Sequence, residues 1–411
     1  MTKFKVASAA IVMATALFAG AASARAEDTI KIGVVGPNSG PYTIIGEEVR
    51  NGFNLYLSEI GNTAGGRKLE LIYEDTQAKP DVGLTKVKKL VEKDDVSFVG
   101  GVVSSSVAYA VRDYIVAKKI PLVVTVASAD GLTQRGAAPN IFRTNSSGSQ
   151  VSHPLGQWLY EKGGYRKLVM IAPNYAMGYE QTGGMARTFV EAGGKIVKTL
   201  YPPMGSPDFG PFLTSFDPSS ADAVGAVFAG SDAIKFVKQY SEYGLKGKLP
   251  LVSTILLTDD LILQQEGDAA LGITSASHYS SALDSAANKK FVDAYRAKYH
   301  RDPTLYSEAS YVGARVIADA ITALHGNISN SDQLIAAMKK ITFEAPRGQF
   351  HFDDYNSPIH NVYIFKVDKV DGKLVNKPVA EFKDVSQFWK WSPKDYMAMP
   401  NYSEAANSWV K

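Results

Sequence analysis

From residue 29 onward, apolar positions follow two alternating rhythms. Short runs rich in Val, Ile and Leu read as strands: "TIKIGVVGP", "KLELIYEDT", "VSFVGGVV" and "IPLVVTVAS". Between them, apolar residues recur at three- and four-residue spacing. "GEEVRNGFNLYLSEIGN", with Val49, Phe53, Leu57 and Ile60 on one face, is a helix closed near Gly61. "DVGLTKVKKLVEKD" and "SSSVAYAVRDYIVAKK" are the next two helices. This succession predicts a parallel sheet covered by helices on both faces. The same type of pattern then repeats with different residues. The helices "VSHPLGQWLYEKGG", "EQTGGMARTFVEAGG" and "SDAIKFVKQYSEYGL" alternate with the strands "KLVMIAPN", "KIVKTLYPP", "DAVGAVFAG" and "LPLVST". Two α/β units follow, joined through the polar, Gly/Ser-rich stretch "RTNSSGSQ" at residues 143–150. Late helices, "AANKKFVDAYRAKYH" and "SEASYVGARVIADAITALHG", need a surface to bury against, so the chain is expected to return to the first unit. A hairpin spanning "GQFHFDDYNSPIHNVYIFKVDKVDGKLV", with Asp371-Gly372 at its turn, then carries it back to the second.

The first 26 residues break this rhythm. Lys3 and Lys5 precede a small, apolar run that ends at Ala24-Arg25-Ala26, which reads as a cleavable secretory signal peptide, residues 1–26. Its removal takes away Lys3, Lys5 and Arg25 and brings the formal charge from +3 to zero, so the electrostatic case for a nucleic-acid partner disappears. The chain has no cysteine, which rules out disulfides, thiolate metal sites, a cysteine nucleophile and a lipidated N-terminal cysteine. An exported chain of this kind is expected in a bacterial periplasm, as a monomer.

The usual catalytic and phosphate-binding patterns are absent. The six histidines show no metal-ligand spacing, and His351 and His360 read as solvated hairpin residues. Asp353-Asp354 reads as a polar turn. No cofactor and no metal site is expected, and no enzyme activity. One stretch stands out: in "GGVVSSSVAYAVRDY", Ser104, Ser105 and Ser106 mark the point where a strand becomes a helix. A nucleophile, a helix cap and an anion cradle are the candidate roles, and no histidine is placed by its context to serve a nucleophile.

The segments "IKIGVVGPNSGPYTIIGEEVRNGFNLYLSEI", "YEDTQAKPDVGLTKVKKLVEKDDVSFVGGVVSSS", "KKIPLVVTVASADGLT", "PNIFRTNSS", "NYAMGYEQTGGMARTFVEAGGKIV" and "FEAPRGQFHFDDYNSPIHNVYIFKV" occur in an order that resembles the solute-binding proteins of ABC importers, of the leucine/isoleucine/valine-binding type. The resemblance implies the type I periplasmic binding fold: two doubly wound parallel-sheet α/β lobes, joined by three crossovers, with an interlobe cleft. Lobe 1 is expected at residues 27–144 plus 276–343, and lobe 2 at 145–275 plus 344–411. The lobes would close on a ligand by a hinge motion and present it to a membrane permease. A periplasmic ligand sensor would use the same fold.

In such a sheet, ligands sit beyond the carboxyl ends of strands, against helix N-termini, which suit a carboxylate. By resemblance, Ser104 and Ser128 match hydroxyls that hold the ligand carboxylate, and Val126 matches a carbonyl contact. Tyr42 supplies an apolar wall, and Tyr175, Met177, Phe228, Ser231 and Ile255 come from the second lobe. Amino-acid binders of this type place an acid after the strand corresponding to "LPLVST". Here Thr254, Ile255, Leu256 and Leu257 follow instead. Burying an ammonium without an anionic partner is costly. The ligand is therefore expected to be a small carboxylate, an aromatic or branched aliphatic acid in preference to an amino acid.

Overall fold

The computed structural model describes residues 29–40 and 42–403, and the leader reading of residues 1–26 lies outside them. The first lobe is built from β1 (Ile30–Gly36), α1 (Thr43–Glu59), β2 (Thr63–Ala64), β3 (Arg67–Asp75), α2 (Pro80–Glu92), β4 (Phe98–Gly101), α3 (Ser105–Lys118), β5 (Leu122–Val124) and β6 (Ile141–Arg143). Its sheet runs β2-β3-β1-β4-β5-β6, parallel apart from the short β2. Ile32, Val34 and Val35 of β1 are almost wholly buried, because a parallel strand is covered on both faces.

The second lobe comprises α4 (Gly148–Glu161), β7 (Lys167–Ile171), α5 (Ala176–Glu191), β8 (Lys195–Leu200), α6 (Gly210–Leu213), β9 (Ala223–Ala226), α7 (Ser231–Glu242), β10 (Leu251–Thr254), α8 (Asp260–Glu266) and β11 (Thr274–Ser277). The chain then returns to the first lobe as α9 (Ala286–Tyr299), α10 (Leu305–Ala323), α11 (Ser331–Lys339) and a small hairpin of β12 (Phe343–Ala345) and β13 (Gly348–Phe350). α10 packs along α1, and Gly52 permits it: a Cβ there would lie 2.3 Å from the Ser307 carbonyl oxygen. Finally β14 (His360–Val370) and β15 (Lys373–Val385) complete the second sheet, in the order β15-β14-β11-β10-β9-β7-β8, and α12 (Pro393–Ala398) follows.

The expected two lobes and three crossovers are present, and the boundaries need correction. Ala276 and Ser277, assigned to the first lobe, are strand residues of the second sheet, paired with Thr254, Ile364 and Tyr363. "GITSASHY" lacks the large apolar residues that signal a strand, yet Thr274, Ser275, Ala276 and Ser277 form one because both faces are covered. Gly348 and Phe350 do not open the long hairpin: they pair with Ala345 and Phe343 and stay with the first lobe, where Arg347 forms a buried ion pair with Glu308 of α10. The Asp371-Gly372 turn is where the pattern placed it, both residues in the left-handed region at φ 49 and 81. His360, expected in solvent, is buried at the start of β14.

Candidate functional site

β4 ends on a pair of glycines for steric reasons. A Cβ on Gly100 would meet the Phe53 ring at 2.6 Å, and one on Gly101 would meet the Val35 carbonyl oxygen at 2.4 Å. Gly101 (φ 94) and Val102 (φ 63) both adopt left-handed backbone. For a β-branched residue this conformation is strained, by about 1–3 kcal/mol, and it persists because Val102 is clamped on both sides. Its N–H donates to Val35, and its carbonyl accepts from Ala127. The twist re-aims the chain just before α3. Ser104 becomes the buried residue preceding the helix, without a side-chain capping bond, while Ser105 faces the space between the lobes.

That space is a cavity of about 640 Å³, its open mouth included. The beginnings of helices converge on it. Tyr42 and Ile45 come from the start of α1, Ser105 from α3, Ser146 and Ser147 from the entry to α4, Tyr175 and Met177 from α5, and Leu305 and Tyr306 from α10. Thr125, Val126 and Ser128 follow β5, Ile255 and Leu256 follow β10, and His278 follows β11. Each helix start leaves backbone N–H groups without intrahelical partners and carries the positive end of its dipole. Among the described residues no Asp, Glu, Lys or Arg lines the cavity.

Neutral hydrogen bonds tie the walls together, both within and across the lobes. The Tyr42 and Tyr175 hydroxyls lie 2.8 Å apart. Burial raises both the Tyr42 and the Tyr175 hydroxyls above the usual tyrosine range, so both stay protonated. The Thr254 hydroxyl donates to Gln181 Oε1 at 2.6 Å, and Gln181 Nε2 donates to Ser128 Oγ at 3.4 Å. Asn145 donates to the Val126 carbonyl at 2.6 Å. Ser105 Oγ, by contrast, is buried with no partner.

Of the residues singled out in the sequence, Tyr42, Val126, Ser128, Tyr175, Met177 and Ile255 come together around the cavity. Ser104, Phe228 and Ser231 do not line it, which corrects those three placements. Phe228 turns into the second-lobe core, stacked on Phe236 at 4.5 Å and edge-on to Phe209 at 5.0 Å. Neighbouring side chains alternate after a strand, so Ala229 takes the cavity wall instead. Ser231 is the first residue of α7, past the left-handed Gly230. Asp232, close enough to act electrostatically on Tyr42 and Tyr175, lies outside the lining. It accepts from the Gly205 N–H at 2.7 Å and pairs with Lys235 at 2.8 Å.

The sequence reading missed Ser105, Gln181, Asn145 and His278. Gln181 stands one helical turn after Met177, so it shares the cavity face of α5. Asn145 and His278 sit just beyond the ends of β6 and β11, where the same carboxyl-end rule would have found them had those strands been recognised.

A model of the periplasmic binding protein family matches residues 29–373. A curated relative, Leu/Ile/Val-binding protein homolog 6 of Brucella melitensis, is 30% identical over 377 residues, covering 90% of this chain and 96% of its own. An ABC transporter substrate-binding protein from Sphaerobacter thermophilus aligns with a TM-score of 0.82 at 36% identity, over 88% of this chain and 99% of its own. A solute-binding protein of an ABC transporter from Rhodopseudomonas palustris BisB5, solved in complex with 3,4-dihydroxybenzoic acid, aligns with a TM-score of 0.83 at 33% identity, over 88% of this chain and 99% of its own.

Proposed function

The chain belongs to the periplasmic binding protein family, and we propose that it is the substrate-binding component of an ABC importer whose ligand is an aromatic carboxylic acid. It would capture the acid in the periplasm by closing its lobes and present the closed form to a membrane permease. The observation that carries the ligand class is the cavity's charge: five helix beginnings face it and, among the described residues, no acidic side chain does. Helix N-termini favour an anion by about 0.3–1 kcal/mol each at exposed sites and more when partly buried. Ser105 Oγ, Ser128 Oγ and the first-turn N–H groups of α3 are the donors for a carboxylate. An ammonium would find only Ile255 and Leu256 where its counter-charge is needed.

Apolar and aromatic groups, Val103, Val151, Met177, Ile255 and Tyr306 among them, supply a wall suited to a flat ring. The resemblance to the 3,4-dihydroxybenzoate-bound protein supports the same ligand class, and the resemblance to the Leu/Ile/Val-binding homologue supports the competing one. Isothermal calorimetry on the mature protein with benzoate, 3,4-dihydroxybenzoate, leucine and isoleucine separates them. Binding of a benzoate with no heat from either amino acid is the expected result. Binding of leucine or isoleucine alone overturns it.

A further inference from the structure

Buried polar atoms almost always have partners, so one that lacks a partner beside a ligand cavity calls for an explanation. His278 lines the cavity and is only 2% exposed, and its Nε2 has no hydrogen-bond partner. We propose that His278 reads a hydroxyl group on the ring of the ligand, and that Ser146 and His360 set whether its Nε2 donates or accepts. This inference rests on the aromatic-acid reading of the cavity and adds which member of that class is preferred.

The ring is held from behind. Its Nδ1 lies 2.8 Å from Ser146 Oγ, and the same oxygen lies 3.0 Å from Nε2 of His360. The two imidazoles stack with centroids 4.8 Å apart and planes inclined by 24°. Each of the three residues belongs to a different passage between the lobes: Ser146 precedes α4, His278 follows β11, and His360 opens β14. The backbone of both lobes therefore fixes where the ring stands.

Burial, with the Arg347 cation nearby, holds both imidazoles well below the usual histidine range, so both rings are neutral. A neutral imidazole has one N–H donor and one bare nitrogen. The Ser146 hydroxyl has one proton to give. When it donates to His278 Nδ1, it accepts from His360, and His278 Nε2 carries the hydrogen. When it donates to His360 Nε2, His278 gives its Nδ1 hydrogen to Ser146, and Nε2 is bare. Both settings satisfy the two internal bonds; they differ in what His278 Nε2 offers and in whether His360 Nδ1, also buried without a partner, carries a hydrogen. A phenolic hydroxyl can accept from one form and donate to the other, so it pairs with either. A second carboxylate is disfavoured, because among the described residues no cationic side chain lines the cavity.

A site built to bond a ligand hydroxyl rejects the analogue that lacks it, since the protein group is then left buried and unpaired. The test is calorimetry with benzoate, 3-hydroxybenzoate and 4-hydroxybenzoate on the wild-type protein and on His278→Leu. The wild type is expected to bind one hydroxybenzoate at least about tenfold more tightly than benzoate, and His278→Leu to reduce that ratio to about threefold or less. Because the variant could be misfolded, ¹⁵N NMR of the wild-type histidines provides a second readout. The His278 Nε2 resonance should shift with the preferred hydroxybenzoate and not with benzoate. Equal affinities of the wild type for all three ligands, a parallel loss for all three in the folded variant, or an Nε2 resonance indifferent to the hydroxyl would each overturn the role of His278. Failure of every benzoate to bind the wild type would instead overturn the aromatic-acid reading itself.

Discussion

Closure of the two lobes should be linked to protons through Glu180. This carboxyl sits on α5 of the second lobe, buried at 6% exposure, and its partners come from the first lobe. Oε1 accepts from the Tyr109 hydroxyl at 2.6 Å, and Oε2 accepts from the Asp130 N–H at 3.0 Å. Burial, with the Asp130 carboxyl beside it, raises its pKa well above the usual carboxylate range, although the Tyr109 and Asp130 bonds and Arg143 pull the other way. Opening the cleft separates these partners and returns the group to water, where its pKa falls back to the ordinary range. The closed form thus holds more protons than the open one. Closure, and with it ligand affinity, is strongest at low pH and weakens as pH rises above the ordinary carboxylate range, until the closed-form pKa is passed. Each proton taken up is worth about 1.4 kcal/mol per pH unit across that window, or about tenfold in affinity. Glu180→Gln keeps the shape and an acceptor and removes the titration. Its cost at low pH is one neutral hydrogen bond, about 0.5–1.5 kcal/mol. The assay is the ligand Kd by calorimetry from about pH 5 to about pH 8, the span that a linkage argument needs. The ligand's own carboxyl titrates alike in both proteins, so the difference between the two profiles isolates Glu180. The wild-type profile should fall more steeply, and the two should converge or cross toward neutral pH. Parallel profiles would refute the reasoning.

Three further outcomes follow from the same geometry. Ser105→Ala should weaken carboxylate binding by about 1.5–3 kcal/mol, the range for a hydrogen bond to a charged group, while Ser104→Ala should change it by less than about 0.5 kcal/mol; calorimetry on the pair separates the two hydroxyls. Arg347→Met strands the buried Glu308 carboxylate and should destabilise the fold by about 3–5 kcal/mol in urea titration, and Arg347→Met with Glu308→Leu should recover most of that loss. Gly156→Ala puts a Cβ 2.1 Å from the Met185 carbonyl oxygen at the α4–α5 crossing and should cost about 1–3 kcal/mol of stability by thermal denaturation.

The legibility of the candidate site followed the local signals available. Tyr42, Ser128, Tyr175 and Ile255 could be placed because each lies just after a strand that was easy to see, or at the start of the helix beyond it. Ser104 was misplaced by one residue, since strand alternation cannot be carried through the left-handed Gly101 and Val102. Phe228 was drawn to the cleft by its position after β9, but it packs in the second-lobe core against Phe209 and Phe236, and Phe236 in turn against Tyr240; only the folding of α6 and α7 onto the sheet brings these rings together. The strand Thr274–Ser277 was hidden by its composition, because its identity comes from the neighbours that cover it.

Read alone, the sequence determined what is set by near neighbours along the chain: the strand–helix succession, the two lobes, the late return and the Asp371-Gly372 turn. These depend on spacing and on residue types within a few positions of one another. Tertiary structure alone decided which hydroxyl of the serine run faces the cavity, that His360 is buried, and that Ser146, His278 and His360 meet at one oxygen although they stand 132 and 214 residues apart in the chain. Such contacts are made by closing long loops through packing, and no local pattern of residues encodes which ends will touch.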